Sequence, residues 1–457
     1  MSITDPTDCS HEGLISLDEA LISYSTHIQP LDTLILSLPD AHQHVLAADV
    51  YSAVALPLFS QSAVDGYALR AADCHQAGSR LLLAGEIRAG VQPPLPLQAG
   101  QAIRIFTGGK LPEGADTVAR QEIVQRELPQ ADSLQPHSLQ TTSVPTESAA
   151  DNASHIIIQH ALTVGTDIRY EGEELAKNTL LATQGQTLHA GLIAALSMAG
   201  IQHVQVYRQP TIAVLITGDE ISSQPTHDAQ VFDANGPLIQ SWLKQCGFAS
   251  IMLQHVVDER EALSSALSRA LNQFDLVITT GGVSVGDYDL IRPVSMALGA
   301  QQIFWQVAQK PGKPLYFASF AAHQTAQQPD SGSSFDSSPS NITRPTSYLI
   351  GLPGNPAAVV IGLHIHVQTI LNQLQGKQPA LPEWQSGIFD GQLKADSRER
   401  LLRMKMQINQ HGCVHLHSLN KQQSHMLSNL AQANALVRIP AHSTINSGDL
   451  LSFLRMD

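Results

Sequence analysis

Apolar and polar positions change their period several times along the chain. Residues 14–29 (LISLDEALISYSTHIQ) repeat apolar positions at helical spacing with acidic residues early, which predicts an amphipathic helix. In residues 45–70 a polar cluster, Ser60-Gln61-Ser62 and Asp65-Gly66-Tyr67, lies between apolar strand-like segments. Asp65-Gly66 by itself is explained by a turn, yet such clusters also display site residues. Residues 81–122 hold short apolar runs (LLLAGEI, AIRIFTGG, DTVARQEIV) broken by Gly and Pro, which predicts an all-β region. Within it Thr107-Gly108-Gly109 closes a strand in a glycine turn.

From 210 the rhythm alternates. Strands are predicted at 210–217, 249–257 and 275–280, with helices at 235–246, 260–272 and 290–298 between and after them. Strands alternating with helices make a parallel, doubly wound α/β sheet that binds ligands at the carboxyl ends of its strands. TSYLIGLPGNPAAVVIGLHIHVQTILNQL adds a strand, a rigid turn and a long apolar helix, with Pro356 suited to the first turn. Beyond 382 the runs RLLRMKMQI, CVHLHSL and ALVRIP predict a C-terminal β-barrel-like domain. Two Gln/Ser/Thr/Pro-rich tracts, 127–155 and 322–346, lack periodicity and read as flexible surface insertions.

Composition narrows the classes of partner. A chain of 457 residues should hold several domains. The formal charge of −14 argues against nucleic acid or an anionic membrane as partner. Cys9, Cys74, Cys246 and Cys413 form no CxxC, so neither a disulfide framework nor a zinc site is expected. The polar, acidic start is unlike a signal peptide, and no apolar run looks long enough to span a bilayer, which predicts a soluble cytoplasmic protein. The twenty histidines show no HExxH and read as surface and loop residues.

Candidate chemistry concentrates in 274–291, FDLVITTGGVSVGDYDLI. A buried strand stops at Gly281-Gly282, and Val283-Ser284-Val285-Gly286 lead to Asp287 and Asp289 before a helix. Strand, glycine loop and helix start suit a phosphate. An Asp close to phosphate oxygens is repelled unless a divalent cation intervenes, so Mg²⁺ is expected. The simpler alternative is a tight turn with an Asp cap. The loop matches neither the Walker nor the dinucleotide pattern. Asp219, Glu220 and Asp258 fall at neighbouring strand ends after Thr217-Gly218, and several acids on one edge suggest a cation site. Lys310-Pro311-Gly312-Lys313 supplies the local positive charge that the net balance lacks. At 166–174 charges crowd around Gly172, by default a solvated loop.

The segments LPLFSQSAVDGYA, IRIFTGGKLPEGADTV, TDIRYEGEE, ITGDEI, TTGGVSVGDYD, KPGKP and GLPGNPAA, in this order, resemble the molybdopterin molybdenumtransferase family, MoeA and the E domain of gephyrin. The resemblance implies a homodimer with four domains per subunit and a site shared between the sheet domain of one subunit and the β-rich domain of the other. The domains would be 1–50 with 156–190 (linker and dimerisation), 51–155 (β-rich), 191–376 (molybdopterin-binding α/β) and 382–457. The implied reaction inserts molybdenum from molybdate into adenylylated molybdopterin, releasing AMP with Mg²⁺ as cofactor. Protein partners would be the molybdopterin adenylyltransferase and the cofactor-accepting enzymes. Asp258 and Asp289 would hold the metal and, with Asp65, Thr107 and Glu173, form the catalytic set. Thr217, Gly218, Asp219, Gly281, Gly282, Ser284, Pro353, Gly354, Asn355 and Pro356 would bind the pterin substrate. Lys310 and Lys313 would meet molybdate or phosphate, with Arg403 and Ser424 as further oxyanion contacts. Two departures stand out: Gly172-Glu173-Glu174 replaces the family's GED, and Gln423 replaces the glycine before Ser424. The rival readings are a molybdopterin adenylyltransferase, which is only the sheet domain, and a non-enzymatic gephyrin-like scaffold. The additional β domains favour molybdenum insertion over the first.

Overall fold

The structure is a computed structural model, and it describes residues 14–93, 96–127, 154–224, 226–283, 289–321, 346–423 and 425–456. Ser284, Asp287, Ser424, Cys9 and nearly all of both low-complexity tracts lie outside the described residues. The chain divides into two units: Met1–Ala48, Gln184–His189 and Val204–Asp457 form the first, Asp49–Thr183 and Ala190–His203 the second. Helix Ala190–Met198 therefore groups with the β-rich residues rather than with the sheet that follows it.

The first unit is built on six strands: β1 Ile212–Thr217, β2 Ile251–Val256, β3 Leu276–Thr280, β4 Gln301–Trp305, β5 Tyr316–Phe320 and β6 Ser347–Leu352, in the order β2-β1-β3-β6-β5-β4. Helices α1 Asn235–Gln245, α2 Arg260–Gln273 and α3 Ile291–Ala297 follow β1, β2 and β3. The apolar runs are uninterrupted because both faces are covered. Ile212, Val214 and Ile216 of β1 enter one core cluster, whereas Ala213 and Leu215 enter the opposite one. β3 and β6 divide their side chains in the same way.

The sheet is doubly wound, but it is not the wholly parallel sheet that the sequence predicts. β2, β1, β3 and β6 run parallel, whereas β5 is antiparallel to β6 and β4 to β5. β5 and β6 are antiparallel neighbours, with Phe320 paired to Ser347. The second tract occupies this connection.

Pro356–Leu374 is one helix of 19 residues, long and apolar enough to cross a membrane by length and composition, which corrects the expectation that no such run exists. It is instead a mostly buried core helix, with Val359, Ile361, Leu363, Ile365 and Ile370 in the main cluster. Its middle, Gly362–Val367, is π-helical. His366 is fully buried there, and burial lowers the neighbouring His364 to about 4, so two histidines depart from the expected surface role.

β7 Gln385–Asp390, β8 Glu399–Ile408, β9 Val414–Ser418, β10 Ala435–Ile439 and β11 Leu450–Arg455 close the ring β8-β9-β7-β11-β10-β8, a C-terminal β-barrel. Its interior holds Phe389, Met404, Leu416, Val437 and Phe453.

The second unit contains a six-stranded sheet in the order Thr117–Arg120, Gly66–Leu69, Gln101–Ile105, Ser79–Ile87, His155–Ile158, Val124–Glu127. The strands flanking the first tract are antiparallel partners, Glu127 opposite His155. A Cβ at Gly66 would collide with the carbonyl oxygen of Ala119, so only glycine lets these two strands approach.

Candidate functional site

The parallel register brings the carboxyl ends of β1, β3 and β6 to one edge. Thr217 Oγ donates to the carbonyl of Thr280 at 3.0 Å and ties β1 to β3. Gly281, at φ +86°, follows; a Cβ there would lie 2.7 Å from Thr217 Oγ. Gly281 N–H donates to Leu352 O at 3.1 Å, and Gly282 O accepts from Ile291 N at 3.1 Å, which fixes the loop between β6 and α3. Pro353-Gly354-Asn355-Pro356 leads into the long helix with Pro356 in its first turn. Asn235, missed in the sequence because it reads only as a helix start, donates Nδ2 to Gly354 O at 2.8 Å. Its buried Oδ1 has no partner among the described residues.

Acidic groups gather beside this edge. Asp258 N–H donates to Asp219 Oδ1 at 3.1 Å. Burial raises the pKa of the Asp258 carboxyl above its ordinary value, and the charges of Asp219, Glu220 and Asp289 push it in the same direction. Among the described residues no three His, Cys, Asp or Glu side chains converge to hold an ion by themselves.

Gly282, Asp289, Lys310, Lys313, Pro353, Gly354 and Asn355 line one cavity of about 420 Å³. Arg398, Gln422 and Gln423 of the barrel line it too. Arg398 and Gln422 went unnoticed in the sequence because a charged run and a Gln pair carry no spacing signal. Three cationic side chains thus face one carboxylate among the described lining residues. Lys310 Nζ donates to Asp396 Oδ2 at 2.8 Å, which holds the Asp396 carboxyl below its usual range. Strand pairing fixes the same lysine, since Gln309 and Lys310 run parallel to β8 opposite Glu399 and Arg400.

Arg403 is placed differently from the expectation of an oxyanion contact. It is 1% exposed and donates to the carbonyls of Met426 at 2.8 Å and of Lys421 and Gln423 at 3.3 Å. Its donors shape the loop carrying Gln422 and Gln423. Thr217 and Gly281 lie in the strand-end framework, and neither they nor Gly218, Asp219, Asp258 and Pro356 are among the cavity's lining residues.

In the second unit Asp65 Oδ1 accepts from Thr107 N at 2.9 Å and Thr107 Oγ at 2.8 Å. These two bonds hold the Asp65 carboxyl below its usual range, with a smaller contribution from Arg104. Gly108 N–H donates to Ser62 O at 2.9 Å, so the glycine turn is held against the Ser62–Asp65 stretch. Glu173 closes its own turn by accepting from Tyr170 N at 2.8 Å. With Arg169, Glu174, Pro57, Phe59 and Met198 it lines a second cavity of about 560 Å³.

Three family models match in succession: MoeA N-terminal region (domain I and II) over residues 15–200, "Probable molybdopterin binding domain" over 213–373, and MoeA C-terminal region (domain IV) over 388–455. The chain is 33% identical over 430 residues to a molybdopterin molybdenumtransferase of Nostoc sp., covering 91% of this chain and 87% of that protein. It is 30% identical to that of Haemophilus influenzae, covering 93% and 94%. The chain belongs to the molybdopterin molybdenumtransferase family. It is accordingly a transferase enzyme of molybdenum cofactor biosynthesis. The fold agrees: a MoeA protein from Pyrococcus horikoshii superposes with a TM-score of 0.74 over 97% of this chain and 99% of that one, at 23% identity. The matches run over residues 15–200, 213–373 and 388–455, and the relatives named molybdopterin molybdenumtransferase cover most of the chain, so the adenylyltransferase alternative is not favoured.

Proposed function

We propose that the enzyme transfers molybdenum from molybdate to the dithiolene of adenylylated molybdopterin, cleaving the phosphoanhydride and releasing AMP, with Mg²⁺ bound at Asp258 and Asp289. One observation carries this reading: a single cavity lined by the Gly282 loop, Asp289, Lys310, Lys313 and Arg398. The donor chemistry fits a hard cation. Asp258 is crowded by Asp219, Glu220 and Asp289, a repulsion that a divalent ion relieves. The lack of a three-residue cluster also fits, because Mg²⁺ keeps waters and takes one or two carboxylates alongside substrate phosphates. Bound there, the ion would offset charge on the anhydride oxygens as a Lewis acid.

The chain's own residues supply binding and orientation. Gly282 lines the cavity beside Asp289, and Lys310, Lys313 and Arg398 hold anionic oxygens in place. The dithiolene sulfurs replace oxo ligands on molybdenum, which leave as water. Water supplies the oxygen that completes cleavage of the anhydride as AMP leaves, so no nucleophilic side chain is called for.

Asp65, Thr107 and Glu173 belong, in this reading, to the partner subunit's contribution in a homodimer. Supporting it, the Asp65–Thr107 pair is held by two short bonds on the surface of the second unit. The test supplies purified enzyme with adenylylated molybdopterin, molybdate and Mg²⁺ and follows AMP release and bound molybdenum. Stoichiometric release that needs both molybdate and Mg²⁺ is expected. Release of AMP with no molybdenum retained would overturn the reading.

A further inference from the structure

The π-helical turn Gly362–Val367 interrupts the core helix behind the lysine loop, and such turns recur at functional sites. It carries His366, which is fully buried and makes two hydrogen bonds. Nδ1 lies 2.9 Å from Tyr24 Oη, and Nε2 lies 3.1 Å from Gln309 Oε1. Gln309 Nε2 then donates to Gly312 O at 3.2 Å. Tyr24, His366 and Gln309 are all fully buried.

The direction of the chain follows from its far end. Gly312 O only accepts, so the Gln309 amide turns its NH₂ toward it and its oxygen toward His366. His366 Nε2 therefore carries the proton. Nδ1 is left bare and accepts from the Tyr24 hydroxyl. Every polar atom named is satisfied only with the ring neutral, and burial lowers its pKa to about 3. Tyr24 is held in turn by edge-to-face contacts with Phe304 and Phe317.

Gly312 has little freedom beside this chain. Its φ is +95°, and a Cβ there would lie 2.9 Å from Gln309 Nε2. Lys313 O accepts from Val307 N at 2.9 Å. The Gly312 carbonyl therefore sits between the two cavity lysines in the chain, and Gln309 donates to it.

We propose that His366 is a positioning residue for catalysis: through Gln309 it fixes the Gly312 carbonyl and so the placement of Lys310 and Lys313 toward their anion. The proposal rests on reading those lysines as oxyanion ligands. A buried polar chain built only for stability would not need to end on the turn between them.

Two variants separate the ends of the chain. Asn at 366 can still accept from Tyr24 but is too short to reach Gln309; Gln at 366 can donate to Gln309 in the place of Nε2. For His366→Asn, KM for molybdate or for adenylylated molybdopterin should rise about tenfold, the scale of one lost hydrogen bond. Its kcat should stay within about twofold, and His366→Gln should recover most of the KM. Gln309→Met, which keeps the volume, should reproduce the His366→Asn values. Melting curves for all variants report stability separately. Unchanged KM values in both His366→Asn and Gln309→Met would overturn the proposal. So would equal losses in His366→Asn and His366→Gln that follow their melting temperatures. If instead the unmodified enzyme shows no molybdate-dependent turnover, the proposed function fails and this inference falls with it, whereas normal turnover with unchanged variants overturns this inference alone.

Discussion

The two ends of the central sheet treat the same side chain in opposite ways. At the amino end Asp275 precedes β3 and meets Arg208 through two bonds of 2.7 Å, while Thr211 donates from N and Oγ at 2.8 Å each. Burial pushes its carboxyl up, but Arg208 and Thr211 outweigh it and the pKa falls. At the carboxyl end Asp258 is partly buried among other acids, and its pKa rises. Both are carboxylates flanking parallel strands. The amino end is saturated by the chain's own groups and serves stability. The carboxyl end gathers like charges around Asp258, which the proposed reading has a cation compensate.

Asp289→Asn should produce the largest effect. It conserves shape while removing the charge that the proposed reading places on Mg²⁺, and turnover should then fall about a hundredfold or more. Melting temperature should hardly move, and raised Mg²⁺ should recover part of the loss. Near-normal turnover at limiting Mg²⁺ would erase the contrast between the two ends.

Asp275→Asn should do the reverse, lowering stability by about 2 kcal/mol while turnover per folded molecule is kept. Breaking a fully buried pair costs about 3–5 kcal/mol, reduced here because the Arg208 side chain is 27% exposed. The sign with pH follows from the lowered pKa. The contribution is present above the unfolded value of about 3.9 and is lost as pH falls through the lower folded value. The difference between the two proteins in urea titrations should therefore be smaller near pH 3 than at pH 7. A difference that is the same at both pH values would show that the ion pair is not the cause.

Mixing Asp65→Asn with Asp289→Asn subunits probes the proposed sharing of the site between subunits. Random exchange in a two-fold dimer should restore about a quarter of the activity, one intact site in each mixed dimer. No recovery in verified heterodimers would place the whole site within one subunit. The smallest effect is expected from replacing residues 128–153 or 322–345 by a short Gly/Ser turn. Each joins strands already paired in register, and loop length costs only about 0.6 kcal/mol per doubling. A shift of several degrees in melting temperature would give the tract a structural role.

Much of this organisation is legible in the sequence. Ile212–Thr217 and Leu276–Thr280 can be read because strands covered on both faces must be apolar throughout, and Gly281 because a turn at positive φ leaves no room for a side chain. The antiparallel edge was not legible, since a low-complexity connection hides whether the chain crosses over or turns back. At Arg403 the family resemblance implies an oxyanion contact, whereas its donors go to three backbone carbonyls, which position in a motif does not reveal. Asn235 and His366 were invisible because their roles depend on partners 119 and 57 residues away.

The pairing of Gln309 and Lys310 with β8 has a mechanical consequence. A closed barrel moves as one stiff piece, and this two-residue graft makes the lysine loop its handle. Any swing of the barrel would pull Lys310 with it, in step with Arg398, which lies one residue before β8. Widening the cleft by letting the barrel pivot would then require unzipping that graft. The gap between its positive walls is thus a property of the backbone and not of the reach of flexible side chains.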